Sequence, residues 1–173
     1  MRYIKTYEKI TDSIGVSWNK VLHNATWTHK KISKNEWFMD FDKIKLAIEN
    51  GADVEFCQTL SWAVRMNNFE VVKYMLEHGA NVNYQDNDCK WSPLMTAAND
   101  GYVEIAKLLI DYNADPFLGN FQGYTTMDVV EEESPVSDAS FGYKQSEKMR
   151  RNRDEIRKYI EGSDIVAAKK YNL

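Results

Sequence analysis

One phrase recurs along this chain at a nearly constant spacing, and it limits the available folds more than any other feature. The segment EVVKYMLEHGANVN begins at Glu70, and EIAKLLIDYNADPF begins 34 residues later, at Glu104. A weaker version, DKIKLAIENGADVE, begins at Asp42. Repeats with a period of about 20–50 residues are typical of stacked supersecondary units. Such arrays usually bind macromolecules rather than catalyse reactions.

Two complete units can be aligned around this phrase. Leu60 and Leu94 each lie ten residues before its glutamate, and Met127 follows Leu94 by 33 residues. Small residues in the first half of each unit, such as Ala63, allow a short helix to lie close to its neighbour. Each unit therefore predicts two antiparallel helices joined by a tight turn. The predicted fold class is all-α, a solenoid of stacked helix pairs.

The second helix of each unit carries its own end signal. Its apolar residues recur at the spacing of one helical face. In the third unit these residues are Ile105, Ala106, Leu108 and Leu109. Gly79 in the second unit and Asn113 in the third follow the last apolar residue. A left-handed residue at that position ends a helix, so the helices are predicted to stop there.

The segment SPLMTAANDGYVEIAKLLIDYNAD closely resembles the ankyrin repeat. The matching residues are Ser92-Pro93-Leu94 in place of Thr-Pro-Leu, then Ala97-Ala98, Gly101, Glu104-Ile105 and Ala114-Asp115. The second unit departs from the pattern, with Thr59 where Pro is usual and Asn67 where Gly is usual. The resemblance extends over about four repeats. It implies short β-hairpin loops between helix pairs and a concave binding face.

The alignment also predicts how the chain is divided. We expect an N-terminal capping segment at 1–31 and an ankyrin-repeat domain at 32–173. The last unit carries an insertion at 134–151, because Met127 and Glu155 are 28 residues apart instead of ten. Only six residues separate Val54 from Leu60, so the hairpin between the first two units should be absent or truncated. The predicted units are 32–56, 57–86, 87–119 and 120–162, followed by a tail at 163–173.

The resemblance also implies where a partner would bind. In the ankyrin family, partner contacts come from the extended connections and from the exposed side of the first helix of each unit. Nothing in the repeat demands a large aromatic residue at Trp91 or Phe121, and aromatic side chains are typical binding hot spots. Transferred to this chain, the partner-binding residues are Arg65, Met66, Asp88, Trp91, Met95, Asn99, Asp100, Phe121, Gln122 and Tyr124.

No catalytic, cofactor-binding or metal-binding pattern accompanies the repeats. His23 and His29 are six residues apart, which is neither a helical spacing nor a standard zinc spacing. Cys57 and Cys89 lie on different connections, without a Cys-x-x-Cys pair. Glycine-rich phosphate loops and nucleophile motifs are also missing. We therefore expect no enzyme activity, no cofactor and no metal.

Charge and hydropathy narrow the range of partners and locations. The net charge is −4, which disfavours nucleic acid and anionic membranes as partners. The sequence contains no run of about 20 apolar residues and no secretory signal, so we expect a cytoplasmic protein. The segment 144–158 is basic and predicts, as a less favoured alternative, a nucleic-acid binder. The sequence does not define the oligomeric state, and a monomer is the simpler expectation.

The leading functional prediction is a protein–protein interaction module. It would bind one protein partner through the concave surface and block or sequester it, as an inhibitor, an immunity factor or a host-directed factor. Frequent Lys, Asn and Tyr are typical of AT-rich genomes, which favours a viral or bacterial effector. The alternative is a two-partner adaptor that uses the N-terminal segment or the 134–151 insertion.

Overall fold

The computed structural model describes residues 17–26, 39–131 and 147–166. In these residues the chain folds into helices and turns, and no strand is present. A short 3₁₀ helix, Phe56–Gln58, leads directly into the third α-helix. The α-helices, in chain order, are α1 (Trp18–Thr26), α2 (Phe41–Glu49), α3 (Thr59–Arg65), α4 (Phe69–Glu77), α5 (Pro93–Asp100), α6 (Val103–Asp111), α7 (Thr126–Val130) and α8 (Glu147–Glu161).

Local capping explains where many of these helices begin. The side chain of Asn68 accepts the N–H of Val71 at 3.2 Å before α4, and Ser92 accepts the N–H of Met95 at 3.1 Å before α5. Each of these caps satisfies one of the N–H groups that the first helical turn leaves unpaired. Pro93 stands at the first position of α5, where its missing N–H has no helical partner to lose.

The helices form two rows. The inner row contains α1, α3, α5 and α7, and each of these helices packs against the next. The outer row contains α2, α4, α6 and α8, which pack behind the inner helix of the same unit. Along the outer row, α4 packs against α6 and α6 packs against α8, while the rings of Phe41 and Tyr74 join α2 to α4 at 5.7 Å. The predicted all-α stack of helix pairs is confirmed.

Helix α1 takes the inner position of the first pair. It packs against α2, as α3 packs against α4, and it also contacts α3 of the next unit. Thr26 at its end lies 3.3 Å from Thr59 at the start of α3, measured between the two hydroxyl oxygens. We interpret α1 and α2 as one unit interrupted by a connection. Residues 1–16 and 27–31 of the predicted capping segment lie outside the described residues, so the boundary at 31 stays a prediction.

Residues in the left-handed backbone conformation follow α4 and α6 at the positions that the sequence predicts. Gly79 has φ 86° after α4, and Asn113 has φ 64° after α6. The turns inside the second and third units are also left-handed, with φ 51° at Asn67 and φ 69° at Gly101. Asn67 therefore adopts the conformation that glycine adopts in the equivalent turn. Asparagine tolerates this conformation better than most residues.

The core is continuous along the stack. Its composition differs in one detail from the predicted apolar face of α6. Ile105, Ala106 and Leu109 of α6 are buried as expected. Leu108 is only partly buried, however, and Ile110 takes its place in the core at 5% exposure. The reason is that α6 packs against both α5 and α8, so its buried face is shifted toward α8.

The connections between units differ in length and shape. No hairpin separates the first two units, as the short spacing predicts, because Phe56–Gln58 continues into α3. Between α4 and α5 the chain makes a hairpin-shaped turn, in which Asp86 donates its N–H to the carbonyl of Trp91 at 3.1 Å. The 134–151 insertion lies outside the described residues up to residue 146, and residues 147–151 form the start of α8.

Candidate partner-binding groove

A groove runs along the side of the stack formed by the inner helices and the tips of the connections. Its volume is about 620 Å³. Helices α3 and α5 supply one part of its lining, and the turns before α5 and α7 supply the rest. The lining residues are Arg65, Cys89, Trp91, Thr96, Asn99, Asp100, Asn120, Phe121 and Gln122. We refer to this surface as the groove.

Six of the ten predicted partner-binding residues come together in the groove. They are Arg65, Trp91, Asn99, Asp100, Phe121 and Gln122. They come from three units of the stack but share one concave surface, because each unit repeats the same orientation of its inner helix. Among the described residues, Phe121 is the most exposed of the large apolar side chains, at 66%.

Three other predicted residues do not line the groove. Met66 is partly buried and packs against the core. Asp88 is exposed at the tip of its turn. Tyr124 is partly buried, and its backbone N–H donates to Asn120 Oδ1 at 3.0 Å. Met66 and Tyr124 therefore support the surface from behind, whereas Asp88 stands at its margin.

The prediction for Met95 has to be corrected. Its side chain has 0% exposure, so the expectation that it contacts a partner is wrong. Helix α5 lies between α3 and α7 in the inner row and packs against α6 and α8 behind. Six consecutive residues of this helix, from Pro93 to Ala98, are buried as a result. Only its last two residues, Asn99 and Asp100, remain partly exposed in the groove.

The groove lining also includes Cys89, Thr96 and Asn120, of which Thr96 and Asn120 were not predicted. Thr96 lies three residues before Asn99 and four before Asp100, so helical spacing alone could have placed it on the same face. Asn120 has a role within its own turn, since its Oδ1 accepts the N–H of Gln122 at 2.9 Å. That position corresponds to Asp86, 34 residues earlier, whose Oδ1 accepts the N–H of Cys89 at 2.7 Å.

The turns that carry the aromatic residues are tied to each other. The N–H of Phe121 donates to the carbonyl of Cys89 at 3.2 Å. The side-chain amide of Gln85 donates to two carbonyls, that of Lys90 at 2.8 Å and that of Gly119 at 2.9 Å. These hydrogen bonds link neighbouring units. They therefore fix the backbone positions of Trp91 and Phe121 relative to each other.

Contacts with neighbouring side chains orient two polar residues of the groove, Arg65 and Asn99. Arg65 reaches the largely buried Asp86, with Nη2 3.4 Å from Oδ2, and lies 5.6 Å from the ring centroid of Trp62. Asn99 donates from Nδ2 to Asp100 Oδ1 at 2.9 Å. The groove therefore presents one guanidinium and one carboxylate on a surface that aromatic and amide side chains also line.

Neither a metal site nor a membrane span is found where the structure describes the chain. Within residues 17–26, 39–131 and 147–166, no group of three or more His, Cys, Asp and Glu side chains could hold a metal ion. The helices of the same residues are all too short or too polar to cross a bilayer.

Three basic side chains of the segment 144–158 form ion pairs along α8 where the segment is described. Lys158 pairs with Asp154 at 2.7 Å, and Arg157 lies 3.3 Å from the same carboxylate. Arg151 pairs with Glu147 at 3.2 Å. Residues 144–146 lie outside the described part of the chain. These pairs reduce the charge that an extended polyanion would meet on this helix.

Paired helices, left-handed turns and a groove on the inner row define an α-helical repeat solenoid. Comparison with known proteins identifies the repeat. Residues 37–120 match the family model described as ankyrin repeats (3 copies). Residues 37–120 therefore carry ankyrin repeats, and the resemblance seen in the sequence is confirmed.

The curated relatives match this chain over only part of their length. The chain is 34% identical over 96 residues to a palmitoyltransferase of Lachancea kluyveri, covering 51% of this chain and 13% of the relative. It is 36% identical over 69 residues to protein phosphatase 1 regulatory subunit 27 of Mus musculus, covering 40% of this chain and 44% of the relative. The chain thus spans less than half of the length of either relative.

A solved structure supports the same fold. The ankyrin-repeat domain of Bcl-3 matches with a TM-score of 0.51 and 29% sequence identity. The match covers 62% of this chain and 45% of the Bcl-3 chain. Ankyrin repeats are protein-interaction scaffolds, so this chain carries a protein–protein interaction module.

Proposed function

We propose that the protein binds one protein partner through the groove and blocks or sequesters it. The observation that carries the proposal is Phe121, a large aromatic side chain that is 66% exposed on a tied-down turn. Exposed aromatic residues on a rigid surface lose little entropy on binding and are typical hot spots. Residues Trp91 and Asn99 lie in the same groove and would surround this anchor.

The groove suits a segment of a folded partner or an extended peptide better than a small substrate. It is open, and amide and aromatic side chains line it together with one guanidinium and one carboxylate. A relative named as a regulatory subunit of protein phosphatase 1 supports a regulatory role. We also propose the cytoplasm as the location, because Cys89 is exposed and free, which suits a reducing compartment.

The test compares two exposed phenylalanines. Phe121→Ala removes the proposed anchor, whereas Phe69→Ala removes a 37% exposed side chain that does not line the groove. Each variant and the wild type would be used to capture proteins from a lysate of the native host, followed by titration of the captured protein. We avoid Trp91 and Arg65 as first choices, since Trp91 packs on the core and Arg65 pairs with Asp86.

We expect Phe121→Ala to weaken the captured complex by at least about 2 kcal/mol, the scale of a hot spot, and Phe69→Ala to leave it unchanged. Equal binding by wild type and Phe121→Ala would contradict the proposal that the partner binds in the groove. The adaptor alternative has its own signature: deleting residues 134–146 would remove one of two captured partners. A blocker would keep its single partner after that deletion.

A further inference from the structure

The groove carries two charged side chains, and only one of them is paired within the described chain. Arg65 is half-exposed, and its Nη2 lies 3.4 Å from Oδ2 of Asp86, whose side chain is only 9% exposed. Asp100 is partly exposed and lines the same groove. Among the described residues, no lysine, arginine or histidine forms an ion pair with the carboxylate of Asp100. The unpaired charge of the groove is therefore negative.

The position of Asp100 in α5 is electrostatically unfavourable. Asp100 is the last residue of this helix, and the last helical turn contains no basic side chain. The C-terminal end of a helix carries a partial negative charge, which attracts cations and repels a carboxylate. Residues that break such a local rule are often found at functional sites. A cation supplied by a partner would satisfy the carboxylate and the helix end together.

Arg153 and Asn99 hold this carboxylate in a defined place. Nη2 of Arg153 donates to the carbonyl of Asn99 at 2.9 Å and to its Oδ1 at 3.2 Å. Because a guanidinium can only donate hydrogen bonds, Oδ1 of Asn99 must face Arg153. Nδ2 of Asn99 then donates to Oδ1 of Asp100 at 2.9 Å. In the described part of the chain, Oδ2 of Asp100 accepts no hydrogen bond, so it is available to a partner.

The charge of Asp100 acts on two neighbours, but neither neutralises it by direct contact. Burial, followed by the charge of Asp100, raises the pKa of Tyr102. Burial lowers the pKa of Arg153, and the carboxylate of Asp100 opposes that effect. Arg153 is only 6% exposed, and its Nη2 is already bonded to Asn99. Arg153 therefore cannot take the place of a partner's cation in the groove.

We propose that Asp100 binds an arginine side chain of the protein partner. This arginine would belong to the segment that occupies the groove, so its assignment rests on the proposed function. Arginine fits better than lysine, because its planar guanidinium forms two parallel hydrogen bonds with a carboxylate and packs on aromatic rings. Trp91 and Phe121 line the same groove and supply such rings. An acidic side chain of a partner would meet Asp100 with like charge.

The first experiment selects ligands from a defined pool. A random library of short peptides displayed on phage is selected on the immobilised full-length protein, and the enriched peptides are tested again on Phe121→Ala. We expect peptides that depend on Phe121 and carry an arginine beside an aromatic or aliphatic residue. Enrichment of lysine or of acidic residues in place of arginine would overturn the assignment.

Separate outcomes test the groove and the arginine. Peptides that depend on Phe121 but contain no arginine would leave the proposed function intact and overturn the assignment of Asp100. Peptides that bind Phe121→Ala as well as wild type would contradict the groove as the binding surface, and the arginine assignment with it. A selection that enriches no peptide would overturn the arginine assignment, because an accessible carboxylate beside aromatic rings should select arginine from a random pool.

A matched pair of peptides defines the contact. The tightest arginine peptide is compared with a citrulline version, which keeps the shape of the side chain and removes its charge. We expect the wild type to prefer the arginine peptide about tenfold, the effect of one charge-assisted hydrogen bond. Asp100→Asn should abolish this preference. Glu70→Gln is the control, since Glu70 is exposed on α4 and does not line the groove. An unchanged preference in Asp100→Asn, or an equal loss in Glu70→Gln, would overturn the proposal.

Arg153 is the positioning residue in this arrangement. Arg153→Met removes its charge and its donors, whereas Arg153→Lys keeps a charge and a donor. A purely structural role would weaken both peptides alike, so the diagnostic quantity is the ratio of the two affinities. Measured on folded protein, this ratio should fall toward one in Arg153→Met and recover in part in Arg153→Lys. A ratio in Arg153→Met that equals or exceeds the wild-type value would overturn the positioning role.

Discussion

Arg153 in the last helix donates from Nη2 to Asn99 at the end of α5, at 2.9 Å to the backbone carbonyl and 3.2 Å to Oδ1. The two residues are 54 positions apart in the sequence. Asn99 in turn donates to Asp100, which lines the groove. A buried guanidinium of the fourth unit therefore orients two polar residues of the binding surface in the third.

The first prediction concerns this bond. Arg153→Met should lower the free energy of unfolding by about 2–3 kcal/mol, because the carbonyl of Asn99 loses a charged donor in a buried position. Urea denaturation measures the change. Arg151→Met is the matched control, since Arg151 is exposed on the same helix and pairs only at the surface with Glu147. A variant as stable as wild type would mean that desolvation of Arg153 cancels its hydrogen bonds.

Adjacent leucines of α6 should respond differently to truncation. Leu109 is fully buried at 0% exposure, whereas Leu108 is only partly buried. Leu109→Ala is expected to cost about 2–5 kcal/mol, the usual range for a buried leucine, and Leu108→Ala clearly less. Thermal and urea unfolding of the two variants provide the comparison. A larger loss for Leu108→Ala would contradict the placement of the α6 core face.

Substitutions in the equivalent turns of two units should change the free energy of unfolding in opposite directions. Gly101→Ala should cost about 1–2 kcal/mol, because φ is 69° and the new Cβ would lie 3.1 Å from Met149 Sδ. Asn67→Gly should stabilise by about 0.5 kcal/mol, since φ is 51° and glycine adopts that conformation without strain. Unfolding midpoints measured in urea check both. Stabilisation by Gly101→Ala would contradict the left-handed turn.

The start of α7 should make stability depend on pH. Hydrogen bonds from the Thr125 side chain and backbone lower the pKa of Asp128 below its ordinary value of 3.8. The charged carboxylate thus contributes stability above about pH 4, and this contribution is lost as pH falls through the lowered pKa. Thr125→Val should raise the pKa of Asp128 toward its ordinary value, as measured by NMR titration. An unchanged pKa would mean that backbone N–H groups, and not the Thr125 hydroxyl, lower the pKa of Asp128.

Much of the candidate site could be predicted from the sequence. The errors in that prediction have one physical cause. Phe121 and Gln122 follow from the repeat because connection residues are free of packing demands. The prediction for Met95 was wrong and Thr96 was missed because both lie on α5, whose exposure depends on three helices from the two neighbouring units. One unit read alone cannot show how much of an inner helix its neighbours cover.

The sequence by itself determined the helices, their ends and their order. Caps such as Ser92, turn residues such as Gly101 and the apolar spacing of α6 act within about one helical turn, so local physics is sufficient for them. Only the tertiary structure decided which residues share the groove, and that Arg153 is buried against Asn99. These are contacts between distant segments, and their geometry is set by how the helix pairs stack.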